Sequence, residues 1–147
     1  MNLPPVTQLG FVVADLAREL PRFRAIYGNF TVGRFSNQGW WYRGEPCDCV
    51  VDAAFGMSGE LELEVVQPIS GQGPHREFLE QGGHGLHHLQ YRAADIAPYV
   101  EWLQGQGYEC IWRMPKTPGA ALAYMVRADD PLVIELIAPV ERPPRKA

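Results

Sequence analysis

The stretch QLGFVVADL, residues 8–16, comes back eighty residues later as HLQYRAADI, residues 88–96. A second pair, ELEVVQP at 62–68 and VIELIAP at 133–139, aligns Glu64 with Glu135 at an offset of 71. Self-similarity of this kind marks repeated supersecondary units, and two offsets nine residues apart mean one plan with a shorter middle in the second copy. Asp15 and Asp95 both fall where a helix N-cap is wanted.

Each copy reads as a strand, a helix and three strands. In the first, residues 7–14 form a strand, and a helix follows in which Phe23, Ile26 and Tyr27 recur at helical spacing before Gly28-Asn29 ends it. Pro21 lacks an N–H, so the regular helix is expected to begin near it or to kink there. Strands near 39–43, 48–55 and 60–67 complete the copy, the last two joined through Met57-Ser58-Gly59. The second copy runs through a strand at 86–93, a helix at 96–106 with Ile96, Val100 and Leu103 on one stripe, and strands at 108–113, 121–127 and 132–137. Between the copies, PHREFLEQGGHG reads as a short helix, about 74–82, with Pro74 at its start and glycines at its end. The expected organisation is one domain, with module one about 5–68, module two about 85–139 and a frayed, Pro-rich tail at 140–147.

Composition removes several function classes. Hydrophobic residues at 46% and charged residues at 20% supply an ordinary core, and a net charge of −4 gives no pull toward nucleic acid or anionic lipid. The opening MNLPPVTQLG lacks a basic segment and an apolar run, and no apolar stretch approaches the roughly 20 residues that span a bilayer. A cytoplasmic location is therefore expected. Cys47, Cys49 and Cys110 are an odd count without the second pair of a zinc site, and read as reduced strand residues. No phosphate loop, nucleophile elbow or dinucleotide fingerprint is present.

The segment GLHHLQY, residues 85–91, sets two histidines side by side at the head of a strand. Neighbours on a strand point to opposite faces, so His88, Gln90 and Arg92 share one face while Leu89 and Tyr91 take the other. The repeat gives His88 the register of Gln8, facing a cavity, and leaves His87 turned away as a packing residue. On the closing strands, Glu60, Glu62 and Glu64 alternate with Leu61, Leu63 and Val65, and Glu135 sits between Ile134 and Leu136 in an otherwise apolar run. An acid there is costly unless it is paired or bound to a metal.

This constellation resembles the vicinal oxygen chelate superfamily, which includes glyoxalase I, methylmalonyl-CoA epimerase, extradiol dioxygenases and bleomycin-resistance proteins. The resemblance covers nearly the whole chain. It implies an α+β fold in which two βαβββ modules form a cupped, mostly antiparallel eight-stranded sheet with helices on the outside. It also implies metal ligands on the first and last strand of each module, at Gln8, Glu64, His88 and Glu135. The stretch HREFLEQGGHGLHHLQYRAADI is most similar to the epimerase-like branch, which usually carries a histidine where this chain has Gln8. A Gln/Glu/His/Glu set occurs among glyoxalase I enzymes.

One amide oxygen, one imidazole and two carboxylates suit Zn²⁺, Ni²⁺, Co²⁺ or Mn²⁺, whereas iron oxygenases want two histidines and one carboxylate. A metal between two carboxylates polarises a carbonyl and steadies an enolate, with Glu64 and Glu135 placed to move a proton on the adjacent carbon. The expected activity is that of a metal-dependent lyase, isomerase or epimerase acting on a small molecule. The rival is a binding or resistance protein that sequesters a hydrophobic or aromatic ligand. Gln8 can alternatively cap a strand end or orient a water, and Glu62 faces the same way as Glu64. Trp40 reads either as a wall at the mouth of the cup or as part of a packed or dimer-forming strand, and Arg92 either as a clamp for a substrate anion or as the partner of a glutamate. His75 and His84 are expected at the surface, and the chain is expected to form a homodimer that covers sheet edges.

Overall fold

A computed structural model describes residues 1–139; the tail expected to fray, 140–147, lies outside the described residues. In chain order the elements are β1 (Val6–Val12), α1 (Leu16–Tyr27), β2 (Thr31–Tyr42), β3 (Glu45–Ser58), β4 (Leu61–Ser70), α2 (Pro74–Glu80), β5 (Gly85–Arg92), α3 (Ala97–Gly105), β6 (Glu109–Arg113), β7 (Leu122–Val126) and β8 (Val133–Ile137). The two βαβββ modules are as the repeat requires, and they pair with each other within the one chain.

The eight strands close into a barrel in the order β1-β4-β3-β2-β6-β7-β8-β5, so the expected cup is shut. Each module contributes one parallel pair, β1 with β4 and β5 with β8, and the remaining neighbours are antiparallel. The modules meet at two seams. One runs the length of β1 and β5; the other is two residue pairs long, Trp41 with Arg113 and Tyr42 with Trp112. Residues 31–40 of β2 therefore pair with β3 alone and contain no buried residue.

Helices α1 and α3 cover the outside of the barrel. Asp15 accepts a hydrogen bond from the Arg18 backbone N–H and starts α1, which buries Leu16, Leu20 and Phe23 against Leu63 and Val65. That i, i+4, i+7 stripe displaces the expected one: Ile26 and Tyr27 stay exposed because they lie past the sheet-facing side. Pro21 sits inside α1 rather than at its start. Pro21 and Ala17, the residue whose carbonyl it leaves without an intrahelical donor, are both exposed, on the side of α1 where solvent can meet that carbonyl. On the other side, Ile96 and Leu103 pack on Ala123, Met125, Ile134 and Leu136. Asp95 binds the Ala97 N–H, while the cap position itself falls on Ile96. Each fully buried aliphatic side chain in these layers contributes about 1.5–3 kcal/mol.

The short helix α2 closes the barrel end at which β1 and β4 finish and β5 begins. It is anchored through its own Glu77, which accepts hydrogen bonds from Tyr42 Oη and from Arg43, the latter at 2.8 Å. Burial pushes the Tyr42 phenol up to about 12, and the hydrogen bond to Glu77 adds to it. The three cysteines are free, and no described helix is long and apolar enough to cross a membrane.

Candidate metal centre

The parallel pairing of β1 with β4 sets Gln8 beside Glu62 and Gly10 beside Glu64, and the antiparallel pairing of β1 with β5 sets Gly10 beside His88. β8 adds Glu135 opposite Gln90. Gly10 is required by contact: a Cβ there would lie 1.9 Å from the His88 ring, which crosses β1 at this point. Three oxygens converge on one nitrogen. His88 Nε2 lies 3.1 Å from Glu64 Oε2, 3.2 Å from Glu135 Oε2 and 3.3 Å from Gln8 Oε1.

An imidazole nitrogen carries at most one proton, so it satisfies one of these three acceptors and leaves the others facing it. A cation resolves the crowding. Two ligand atoms on an ion with bonds of about 2.0–2.2 Å stand roughly 2.8–3.6 Å apart in octahedral or tetrahedral arrangements, and the observed spacings fall in that range. The donor set fits a divalent ion.

Neighbouring groups hold the donors in place. Gln8 Nε2 donates to Glu62 Oε1 at 2.8 Å, which turns the amide oxygen toward His88. Gln90 Nε2 lies 3.3 Å from both Gln8 Oε1 and Glu135 Oε2, and Thr7 Oγ1 donates to the Gln90 amide oxygen at 3.1 Å. Gln8, His88, Gln90 and Glu135 are buried, while Glu64 keeps 17% of its side chain exposed. Burial alone would lower the His88 pKa, but the hydrogen bond to Glu64 and the charges of Glu135 and Glu64 raise it above 6.5.

His87 does not turn away. Phe11 pairs with Leu86 while Gly10 pairs with His88, so His87 is the extra residue of a bulge. A bulge breaks the two-residue alternation, and both histidines end up inside. Their Nδ1 atoms are 3.0 Å apart. His75, expected at the surface, is also buried: it projects from α2 into the barrel end, with its Nε2 3.2 Å from Tyr124 Oη. Burial holds His75 at about 3 and His87 well below 6.5, with the nearby imidazoles adding to both shifts, and it drives the Tyr124 phenol well above 10. His84 is exposed as expected.

Trp40 packs on Trp112 at 4.3 Å between ring centroids, and Trp112 in turn packs on Tyr124, so Trp40 stands two rings away from His88. Arg92 lies at the exposed end of β5, beyond Gln90. Among the described residues Trp112 Nε1 is the buried side-chain donor without a partner. A groove of about 520 Å³ runs between α2 and the β6–β8 end of the barrel, with His87, Phe78 and Val133 in its lining.

Reading the sequence missed Gln90, Tyr124 and His75 as members of this site. Gln90 shares the His88 face and was legible. His75 lies three and four residues before Phe78 and Leu79, an apolar helix stripe that points inward. Nothing in the sequence marks Tyr124, which reaches the site through its pairing with Glu135.

Comparison with known proteins places this geometry. An uncharacterized protein of Bacillus subtilis, YqjC, is 29% identical over 92 residues, which are 60% of this chain and 66% of that one, so the chain spans just under two thirds of that relative. A hypothetical protein from Bacillus halodurans C-125 has the same fold, with a TM-score of 0.67 at 21% identity over 95% of this chain and 96% of that one. The Streptomyces coelicolor methylmalonyl-CoA epimerase in complex with 2-nitronate-propionyl-CoA matches with a TM-score of 0.61 at 19% identity, covering 92% and 97% of the two chains. That of Mycobacterium tuberculosis gives 0.64 at 17%, covering 94% and 89%. These structural likenesses show the fold. A family model matches residues 7–124, a span that holds Gln8, Glu64 and His88, and on that match the chain belongs to the glyoxalase/bleomycin resistance protein/dioxygenase superfamily.

Proposed function

We propose that the chain is a divalent-metal-dependent isomerase, epimerase or lyase that moves a proton at a carbon next to a carbonyl. The observation that carries this reading is the convergence of Gln8, Glu64 and Glu135 oxygens on His88 Nε2, from four strands of the two repeats. The set would hold Zn²⁺, Ni²⁺, Co²⁺ or Mn²⁺. When bound, such an ion supplies Lewis acidity to a substrate carbonyl and steadies the charge left when the neighbouring carbon loses its proton.

The chain's own residues do the rest. Glu64, the more exposed carboxylate at 17% against 5% for Glu135, is the one a substrate reaches first and takes the proton. In an epimerase Glu135, contributed by the other module, delivers a proton drawn from solvent to the opposite face while Glu64 releases the one it took to solvent; in a glyoxalase-type isomerisation the proton held by Glu64 goes instead to the neighbouring carbon. The Thr7–Gln90 pair keeps Gln8 and Glu135 from swinging. The likeness to methylmalonyl-CoA epimerases makes acyl-CoA thioesters the first substrates to try.

Protein purified without an affinity tag should contain about one divalent ion per chain by elemental analysis. Acyl-CoA thioesters and 2-oxo aldehyde adducts, screened in D₂O, should reveal a substrate that takes up deuterium next to its carbonyl. Glu64→Gln and Glu135→Gln should each slow that exchange by about 10²-fold. Wild-type exchange rates in both variants would remove the two carboxylates from the mechanism. Protein that takes up no metal would leave the ligand-sequestering role in its place.

A further inference from the structure

We propose that His87 is the positioning residue of this centre: its Nδ1 accepts the Nδ1–H of His88 and so leaves the His88 Nε2 lone pair aimed at the space shared with Gln8, Glu64 and Glu135. The inference rests on the metal reading above and adds a residue to it.

A neutral imidazole has one proton and one lone pair, on different nitrogens. For Nε2 of His88 to face a cation, the proton must sit on Nδ1, and the polar atom that meets this nitrogen is His87 Nδ1 at 3.0 Å. His87 must then be unprotonated at Nδ1 and carry its own proton on Nε2. Metal-bound histidines ordinarily fix their tautomer against a carboxylate, a carbonyl or a water. A second imidazole does so here without adding charge. That matters because two carboxylates already balance a divalent ion, and a third charge in a space where His88 is 0% exposed would meet a large desolvation cost.

The local structure holds His87 to this task. The bulge between Leu86 and His88 turns it inward, and without that extra residue the period of two would carry it to the outer face. Its ring is then packed by Phe78 at 4.8 Å and His75 at 5.6 Å between centroids, and His75 is itself anchored on Tyr124 Oη. Packing fixes the plane of the His87 ring, and the 3.0 Å contact with His88 favours the orientation that keeps Nδ1 toward it, since a half-turn would set a carbon there.

Two substitutions separate direction from packing. His87→Phe fills the ring volume but has no acceptor; His87→Asn places an amide oxygen near the former Nδ1. Zn²⁺ affinity by competition with a chromogenic chelator, and the visible absorption of the Co²⁺-loaded protein, read the first coordination sphere directly. Far-UV circular dichroism and thermal melts of the metal-free proteins check that both variants fold. His87→Phe should bind Zn²⁺ about 10–100-fold more weakly, the usual scale for losing an outer-shell partner, with shifted Co²⁺ bands. His87→Asn should recover most of the affinity. A His87→Phe protein with wild-type affinity and spectrum overturns the inference, as does equal loss in both variants, which would assign the effect to packing. Failure of the wild type itself to bind Zn²⁺ or Co²⁺ overturns the metal reading beneath, and is visible before either variant is made.

Discussion

Replacing Gly10 with alanine adds one methyl group where the His88 ring crosses β1. A Cβ built there lies 1.9 Å from both Cε1 and Nε2 of His88 and 2.4 Å from Cδ2. Ordinary carbon contacts are about 3.5–4.0 Å, so the ring would have to retreat by roughly 1.5 Å or more. It has little room to do so, since His87 and Tyr124 each stand 5.3 Å away between centroids and the side chain is fully buried. Metal–ligand distances tolerate about ±0.2 Å, and a shift several times larger takes Nε2 out of reach of Glu64 and Glu135. Metal affinity should fall by at least about 100-fold, or roughly 2.7 kcal/mol. Overpacking by itself costs about 1–3 kcal/mol. With an unfolding entropy of about 2.1 cal/mol/K per residue, each kcal/mol moves the Tm of a chain this long by about 3 °C, so the metal-free midpoint should drop by about 3–10 °C. Thermal melts in the presence of a chelator, run beside a calorimetric titration with Zn²⁺, separate the two effects. A Gly10→Ala protein that melts and binds metal like the wild type would refute the placing of His88 over β1, and with it the register that gathers the four donors.

Two further outcomes are expected. Burial pushes the Glu77 carboxyl up, but its hydrogen bonds with Arg43 and Tyr42 and the Arg43 charge outweigh burial and hold it below 4.5. Its contribution is therefore present above about pH 4.5 and lost as the pH falls through the folded value, and Glu77→Gln should lower the midpoint at pH 7 by about 3–6 °C while flattening the acid side of the stability profile; parallel acid limbs in the two proteins would contradict this. The edge of β2, with Val32 and Phe35 exposed at 49% and 44%, is suited to pairing with a second copy, and light scattering at micromolar concentration should give a dimer, a monomeric mass ruling it out.

The repeat made the architecture readable because it reports element order, and element order with short connections leaves few ways to pair strands. The parity of Gln8, Glu64, His88 and Glu135 was readable for the same reason: a regular strand alternates, and the two copies share their register. Residues 31–38 form strand although TVGRFSNQ lacks the apolar alternation that burial imposes; their conformation comes from pairing with β3, whose Cys49, Val51, Ala53 and Ala54 are buried while the β2 side chains opposite stay exposed or half-buried.

What the sequence by itself determined was thus which side chains the two modules carry to their inner faces. What only the tertiary structure decided was how those faces meet. The bulge that turns His87 inward is a mismatch in length between two strands, and such a mismatch belongs to the pair rather than to either segment. The burial of His75 depends on where α2 settles across the barrel end, and the nearness of Tyr124 depends on the register of β7 against β8. Closure of the barrel rests on two residue pairs between β2 and β6, far apart in the chain, whose meeting follows from the accumulated twist of all eight strands.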